Sequence, residues 1–544
     1  MYTFIIRISI LGAIFLVPLA WSPFTFEAFE FTKQYVLFFT VFAGIIAWFS
    51  YMIFEKREIR VFSSPLDIAV IGFVIVAFLS TLLSADLYSS LFGSYGRFTD
   101  SFVNLLSLTG LYFLIRSHVP GVVARMSVIL AFLASIAVTV LVALLSVFGL
   151  LKSIPFVPEI IKQPSFALAG STEAFAILLS LVVVFLALSL FYTAYRATKG
   201  FRRVQWALLW LSFTLLIVID FTPAWIVLLL GLVLMIGFSL MQRTREKPLV
   251  SVRSLWLPAI LTLFTFVFLF SPTAIFDVNR DVLTESQLSQ GTSFVVAGLS
   301  LTANVKSAFL GSGPGTFDID FAQHRPVSMN ETNQWQIRFN SAGNYFSEVV
   351  ATIGGLGILL YLSIFVLFLA ISAALFEAAK ADEKEVFPSM GIVSSMLIVL
   401  FISQLVYTQT TVLALTFWMF LALGAASWQH QRSIRIAIKP RKLPYISVII
   451  KTIYIVLVIV IGFSGFSMTR AYIADIQYTQ SQSQRSSIDK SIEKALSAVN
   501  LNDNRVEYKM GLSRLYLIRL FTEASKPEAS QNQEQLAFVA QRAI

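Results

Sequence analysis

Apolar runs of about twenty residues alternate along this chain with short polar connections. Thirteen such runs lie at roughly 4–22, 35–54, 67–84, 102–115, 126–150, 172–195, 205–221, 224–241, 255–271, 345–376, 388–407, 410–428 and 446–467. Each is near the length that crosses a hydrocarbon core about 30 Å thick. After the last run the pattern changes. A Gln/Ser-rich stretch at 477–487 reads as a linker, and apolar residues then recur at helical spacing. Ile492, Ala495, Leu496 and Val499 form one stripe, and Tyr508, Leu512, Leu515 and Tyr516 a second. The pattern predicts an all-α polytopic integral membrane protein of 12–13 transmembrane helices. It divides into an N-terminal bundle (1–271), a large extracytoplasmic loop (272–344), a second bundle (345–467) and a tail (468–544). The tail has the spacing of one tetratricopeptide-like helical hairpin. A single hairpin cannot bury its own apolar face, so it needs the membrane domain, a protein partner or further chain.

Charge gives this pattern a direction. Of 544 residues 57% are hydrophobic and only 13% charged, about half the charge of a soluble domain. The net charge of +10 comes from Lys and Arg in alternate loops, such as Lys56, Arg57 and Arg60, or Arg202 and Arg203. Those loops belong in the cytoplasm by the positive-inside rule. The N-terminus is then cytoplasmic, while loop 85–101, loop 272–344 and the tail lie outside. The positive charge is thus a topology signal, and no nucleic acid is expected as a partner. Arg7 precedes an apolar run without a small-residue cleavage site, so the first run is expected to be retained as a span. There is no cysteine, and the three histidines are scattered at 118, 324 and 430. No disulfide, metal site or cofactor is expected.

Candidate chemistry concentrates where the large loop meets the tenth span. This stretch carries Asp318, Asp320, His324, Arg325, Glu331 and Arg338, followed by Glu348 one turn into the hydrophobic helix. The G-S-G-P-G-T-F turn with Gly311, Gly313 and Gly315 is not a phosphate-binding loop, because it lacks the G-K-[ST] ending. It reads as a glycine turn closing a helix. Residues 293–309 are apolar and helix-compatible, suited to lying along the membrane surface. Gly354 and Gly357 place small residues nearly one turn apart, which permits close helix approach in a membrane. Loop 85–101 holds a single cation, Arg97, among aromatics and glycines.

Four stretches together resemble the O-antigen ligase and O-antigen polymerase superfamily of bacterial envelope glycosyltransferases. They are F-T-F-E-A-F-E-F-T-K at 24–33, F-G-S-Y-G-R-F at 92–98, G-S-G-P-G-T-F at 311–317 and G-N-Y-F-S-E-V-V-A-T-I-G-G-L-G at 343–357. Asn344, Gly354 and Gly357 keep the spacing of the family's segment. The resemblance covers about residues 1–470. It implies residence in the bacterial inner membrane and a glycan donor linked to undecaprenyl diphosphate at the outer face. The glycan would pass to a sugar or lipid acceptor without a metal ion. Cations for the diphosphate would come from Arg97, Arg280, Arg325 and Arg338, since a guanidinium suits bidentate phosphate binding. Two departures stand out. The family's histidine before Asn344 is Gly343 here, and the outer start of the eighth span reads F-T-P-A-W without an arginine. A base for the acceptor hydroxyl is then sought among Glu348, His324, Asp318 and Asp320, with Glu348 first because it points toward the mouth shared with Asn344. The rival expectation is a member that has lost catalysis and serves as a glycolipid-binding or assembly scaffold through its tail.

Overall fold

The computed structural model describes residues 1–56, 58–119, 121–155, 158–191, 199–242, 255–270, 285–378, 386–432, 434–438, 444–482, 487–527 and 533–543. Arg280, and several cations of the basic loops, lie outside the described residues. The fold is helical. Each apolar run is a helix: α1 (Tyr2–Leu16), α2 (Glu30–Ser50), α3 (Pro65–Leu82), α5 (Phe102–His118), α6 (Val122–Val147), α7 (Thr172–Phe191), α8 (Lys199–Ile219), α9 (Thr222–Gln242), α10 (Trp256–Phe270), α14 (Tyr345–Ala378), α15 (Val386–Val406), α16 (Thr411–Arg432) and α17 (Pro444–Ser481). Between them lie α4 (Leu87–Phe92), α11 (Gln290–Thr302), α12 (Val305–Leu310) and α13 (Phe317–His324), and after them α18 (Ile488–Leu501), α19 (Val506–Ala524) and α20 (Gln533–Ala543). Among the described residues, eight helices are long and apolar enough to cross a membrane.

Burial follows composition. α7 is apolar around its whole circumference and almost wholly buried, and so is the first part of α16. A helix without a polar face belongs inside a bundle. Helices α2, α3 and α17 carry exposed apolar residues, such as Phe39, Ile68 and Val448, which is the surface expected against lipid. At one end of the bundle an antiparallel two-stranded ribbon, β1 (Ile59–Ser63) with β2 (Ile434–Ile438), ties the loop after α2 to the loop after α16. Both loops belong to the basic set. At the other end meet the connections of the second set: 20–30, 85–101, 163–171, 285–290, 337–344 and 407–411.

Three elements differ from the expectations. The apolar stretch 293–309 is divided by Asn304, whose side-chain oxygen accepts from Ser307 N at 2.9 Å and caps α12. Gly354 is not a contact point on a straight helix. Its φ of +77° breaks α14, and a Cβ there would meet the backbone of Leu310 and Gly311 within 2.6 Å. The close approach is therefore made to the glycine turn after α12, where Gly311 and Gly313 also have positive φ. Lastly, α17 runs on past the predicted end of its span to Ser481.

That extension docks the tail. Asp475 is fully buried on it. Its carboxylate accepts from Tyr95 Oη (2.6 Å), Tyr508 Oη (3.0 Å) and the backbone N of Phe26 (2.8 Å). Arg505, itself buried, stacks over Tyr88, Tyr95 and Phe98 at 5.0–5.9 Å. The Asn502 amide donates to Tyr88 Oη at 2.8 Å. One face of the helical hairpin is thus covered by the loops of the membrane domain.

Candidate functional site

The motif at 92–98 is a tight loop. Gly93 and Gly96 both adopt positive φ, +93° and +79°, which side chains with a Cβ rarely adopt. A Cβ on Gly93 would also run into the backbone of Phe98. The fold-back turns Arg97 inward, where it is only 8% exposed. Its Nε lies 2.7 Å from Asp100 Oδ2 and its Nη2 lies 3.3 Å from Glu348 Oε2. Nη2 also donates to Thr408 Oγ1, and Thr408 donates in turn to Glu348 Oε2 at 2.9 Å. One guanidinium therefore serves two buried carboxylates, one from the loop and one from α14. Glu348 pairs with Arg97, because the turn at 93–96 brings that guanidinium over the start of α14.

Arg97 lines a cavity of about 330 Å³, within the range of small-molecule sites. Its walls come from the stretches that approach this end of the bundle: Glu27 and Glu30 from the first, Gly96 and Arg97 from the second, and Arg338 to Gly343 from the large loop. Gly170, Glu285 and Tyr407 complete them. Arg97 and Arg338 therefore share one cavity. Arg338 is exposed at its edge.

The remaining sequence candidates lie elsewhere. Glu348 is 1% exposed and borders a separate, much smaller space with Asp100, Tyr345 and Thr352. It reaches the large cavity only through Arg97 and Thr408. His324 closes α13 and does not line the cavity. Arg325 donates to Trp335 O at 2.6 Å, which ties down the loop. Asp320 accepts from Ser312 Oγ at 2.6 Å, and burial pushes its pKa up to about 6. Burial also pushes Asp318 up. Neither aspartate borders the cavity. Gly311, Gly313 and Gly315 build the turn against Thr352 and Ser89. Asn344 caps the first turn of α14 by accepting from Ser347 N, and its amide donates to Gln290 Oε1.

The carboxylates that do line the cavity were not among the chosen site residues. Glu27 accepts from the backbone N of Phe29, Glu30 and Phe31 at 2.6–3.1 Å, the position that favours negative charge at a helix N-terminus. Burial nevertheless pushes its pKa up to about 7. Glu30 Oε2 accepts from Thr99 Oγ1 (2.9 Å) and Thr411 N (3.0 Å), while Oε1 has no protein partner. The signal lay in the motif at 24–33, where Glu27, Glu30 and Lys33 recur every three residues at the start of α2. Lys33 is fully buried and donates to Ala20 O at 2.8 Å.

The backbone around Gly343 leaves no room for a side chain. The glycine N donates to Ser293 Oγ at 2.8 Å, and a Cβ would run into the carbonyl oxygen of Leu288. No side chain fits there unless the backbone at 288 moves. A scan against protein-family models finds no match for this chain, and neither does a search of curated proteins.

Proposed function

We propose that this protein is a glycosyltransferase of the O-antigen ligase and polymerase type, working on a glycan carried by a polyprenyl diphosphate. The observation that supports the reading most is convergence: stretches 24–33, 92–98 and 337–344, far apart in sequence, wall one polar cavity at one end of an apolar bundle. In this reading the chain crosses a bacterial inner membrane thirteen times. Its N-terminus is cytoplasmic, and the cavity and tail face outside. Arg338, at the edge, takes the diphosphate, where negative charge grows as the carrier leaves. Glu30 takes the proton of the acceptor hydroxyl, the freed oxygen attacks the anomeric carbon, and the bond to the diphosphate breaks. Glu30 replaces Glu348 and His324 in this role because it lines the cavity with an oxygen that has no protein partner.

The test is transfer from a polyprenyl-diphosphate glycan by wild type, Glu30→Gln, Glu348→Gln and His324→Ala. A loss of about a hundredfold or more in Glu30→Gln alone fits the assignment. An unchanged rate in that variant removes it. A binding scaffold without catalysis is the second reading, favoured by one observation: Arg97 is already matched by Asp100 and Glu348. Wild type that binds the lipid yet transfers nothing would establish it.

A further inference from the structure

The charge of the cavity is opposite to what a phosphate-binding site alone would require. Glu27, Glu30 and Glu285 line it, and Asp100 and Glu348 stand directly behind Arg97. Against these are Arg97, Arg338 and the buried ammonium of Lys33, which faces Glu30 and Glu27. Of the charged groups that line the cavity itself, three are carboxylates, Glu27, Glu30 and Glu285, and two are guanidiniums, Arg97 and Arg338. Arg97 is already engaged by its two carboxylates, and Lys33, which does not line the cavity, donates to Ala20 O. Arg338 has no carboxylate within 4 Å among the described residues, and it is exposed at the edge. The interior is thus a place for ligand groups that donate hydrogen bonds and carry no negative charge.

A second, independent feature points to a polar ligand. Thr410 is 6% exposed and lines the cavity, yet its hydroxyl has no hydrogen-bond partner in the protein. The side-chain amide nitrogen of Gln287, which also lines the cavity, is likewise without one. Tyr407 and Phe339 add aromatic surface. Carboxylate acceptors, an unmatched hydroxyl, an unmatched amide donor and aromatic walls together suit a hydroxyl-rich ring. We infer that the cavity selects a neutral or amine-bearing sugar and rejects one that carries a carboxylate, its acidic interior setting the glycan class while the diphosphate stays at the Arg338 edge. The inference rests on the glycosyltransferase reading for the diphosphate but not on turnover, because selection is read in binding.

Two synthetic short-chain polyprenyl diphosphates provide the test, one carrying an N-acetylhexosamine and one a hexuronic acid. Their affinities for the full-length protein in nanodiscs are measured calorimetrically at neutral pH. The neutral probe should bind at least about tenfold more tightly, the scale of a single nearby charge at a partly solvated site. Glu30→Gln and the surface-exposed Glu285→Gln should each narrow that ratio by weakening the rejection of the acidic probe. Glu285→Gln guards against a folding defect in Glu30→Gln. Equal or tighter binding of the hexuronic probe by wild type overturns the inference, as does a ratio that neither substitution changes. If neither probe binds, the lipid-linked glycan reading fails and the inference falls with it.

Discussion

Arg97 is the residue whose removal the structure makes most informative. Its guanidinium is almost wholly buried and holds two carboxylates whose side chains are only 7% and 2% exposed. Arg97→Ala would leave the buried carboxyl groups of Asp100 and Glu348 facing each other without a cation. Breaking a buried ion pair by removing one partner costs about 3–5 kcal/mol, whereas replacing the whole set with neutral groups of similar size is often close to neutral. The expectation is therefore non-additive. Arg97→Ala should lower the unfolding free energy by about 3–5 kcal/mol. The triple variant Arg97→Met, Asp100→Asn, Glu348→Gln should recover at least half of that loss. The assay is denaturant unfolding of the purified protein in micelles, followed by tryptophan fluorescence, with the variants combined in a mutant cycle. A cost below about 1 kcal/mol for Arg97→Ala would put the pair on the scale of exposed salt bridges. That result, or a triple variant no better than the single one, would refute the claim that Arg97 is an internal counter-ion.

Three further outcomes follow from single contacts. Gly343→Ala should destabilise the loop around the cavity, because the new methyl would overlap the carbonyl oxygen of Leu288; faster proteolysis in the large loop is the measurement, and wild-type resistance would contradict it. Asp320 has a folded pKa of about 6 against an ordinary 3.8, raised by burial. The folded loop therefore holds that proton more tightly, so stability is fullest below about pH 4 and falls as pH rises toward 6. Asp320→Asn should flatten the dependence in that window, read as hydrogen exchange in α13, and an unchanged slope would show that another group carries it. Asp475→Ala removes the acceptor shared by Tyr95, Tyr508 and Phe26, and should release the helical hairpin. In this cysteine-free protein the probe is Ala498→Cys, at a buried position packed with Tyr478 and Tyr508; it should then react with a thiol reagent many times faster than in the parent carrying Asp475, and an equal rate would show that the tail docks by other contacts.

The helices were legible because length and hydrophobicity are local properties: each of the thirteen runs is a helix. The glycine turn at 311–317 was legible as well. Pairings across the chain were not. Nothing in the order of residues says that Arg97 meets Glu348 across 251 positions. Glu348 stood out because it is charged at the start of an apolar helix, yet that same burial removes it from the cavity. Glu27 and Glu30 drew less notice because acidic residues at helix starts are commonplace caps, and Glu27 is one. The break at Gly354 was hidden because a glycine inside an apolar run reads equally as a packing surface or a conformational necessity. The docking of the tail depends on Asp475, a carboxylate in an otherwise helix-compatible stretch with no local sign of its three partners.

A lipid-linked glycan seated in the cavity walled by Glu30, Arg97 and Arg338 can be captured by photo-crosslinking, with a polyprenyl diphosphate whose first sugar carries a diazirine and with the attached peptides mapped by mass spectrometry. Crosslinks are expected within 24–33, 92–98 and 337–344, competed away by the unmodified donor. Crosslinks confined to the lipid-facing surfaces of the bundle, or unaffected by the competitor, would contradict that seating.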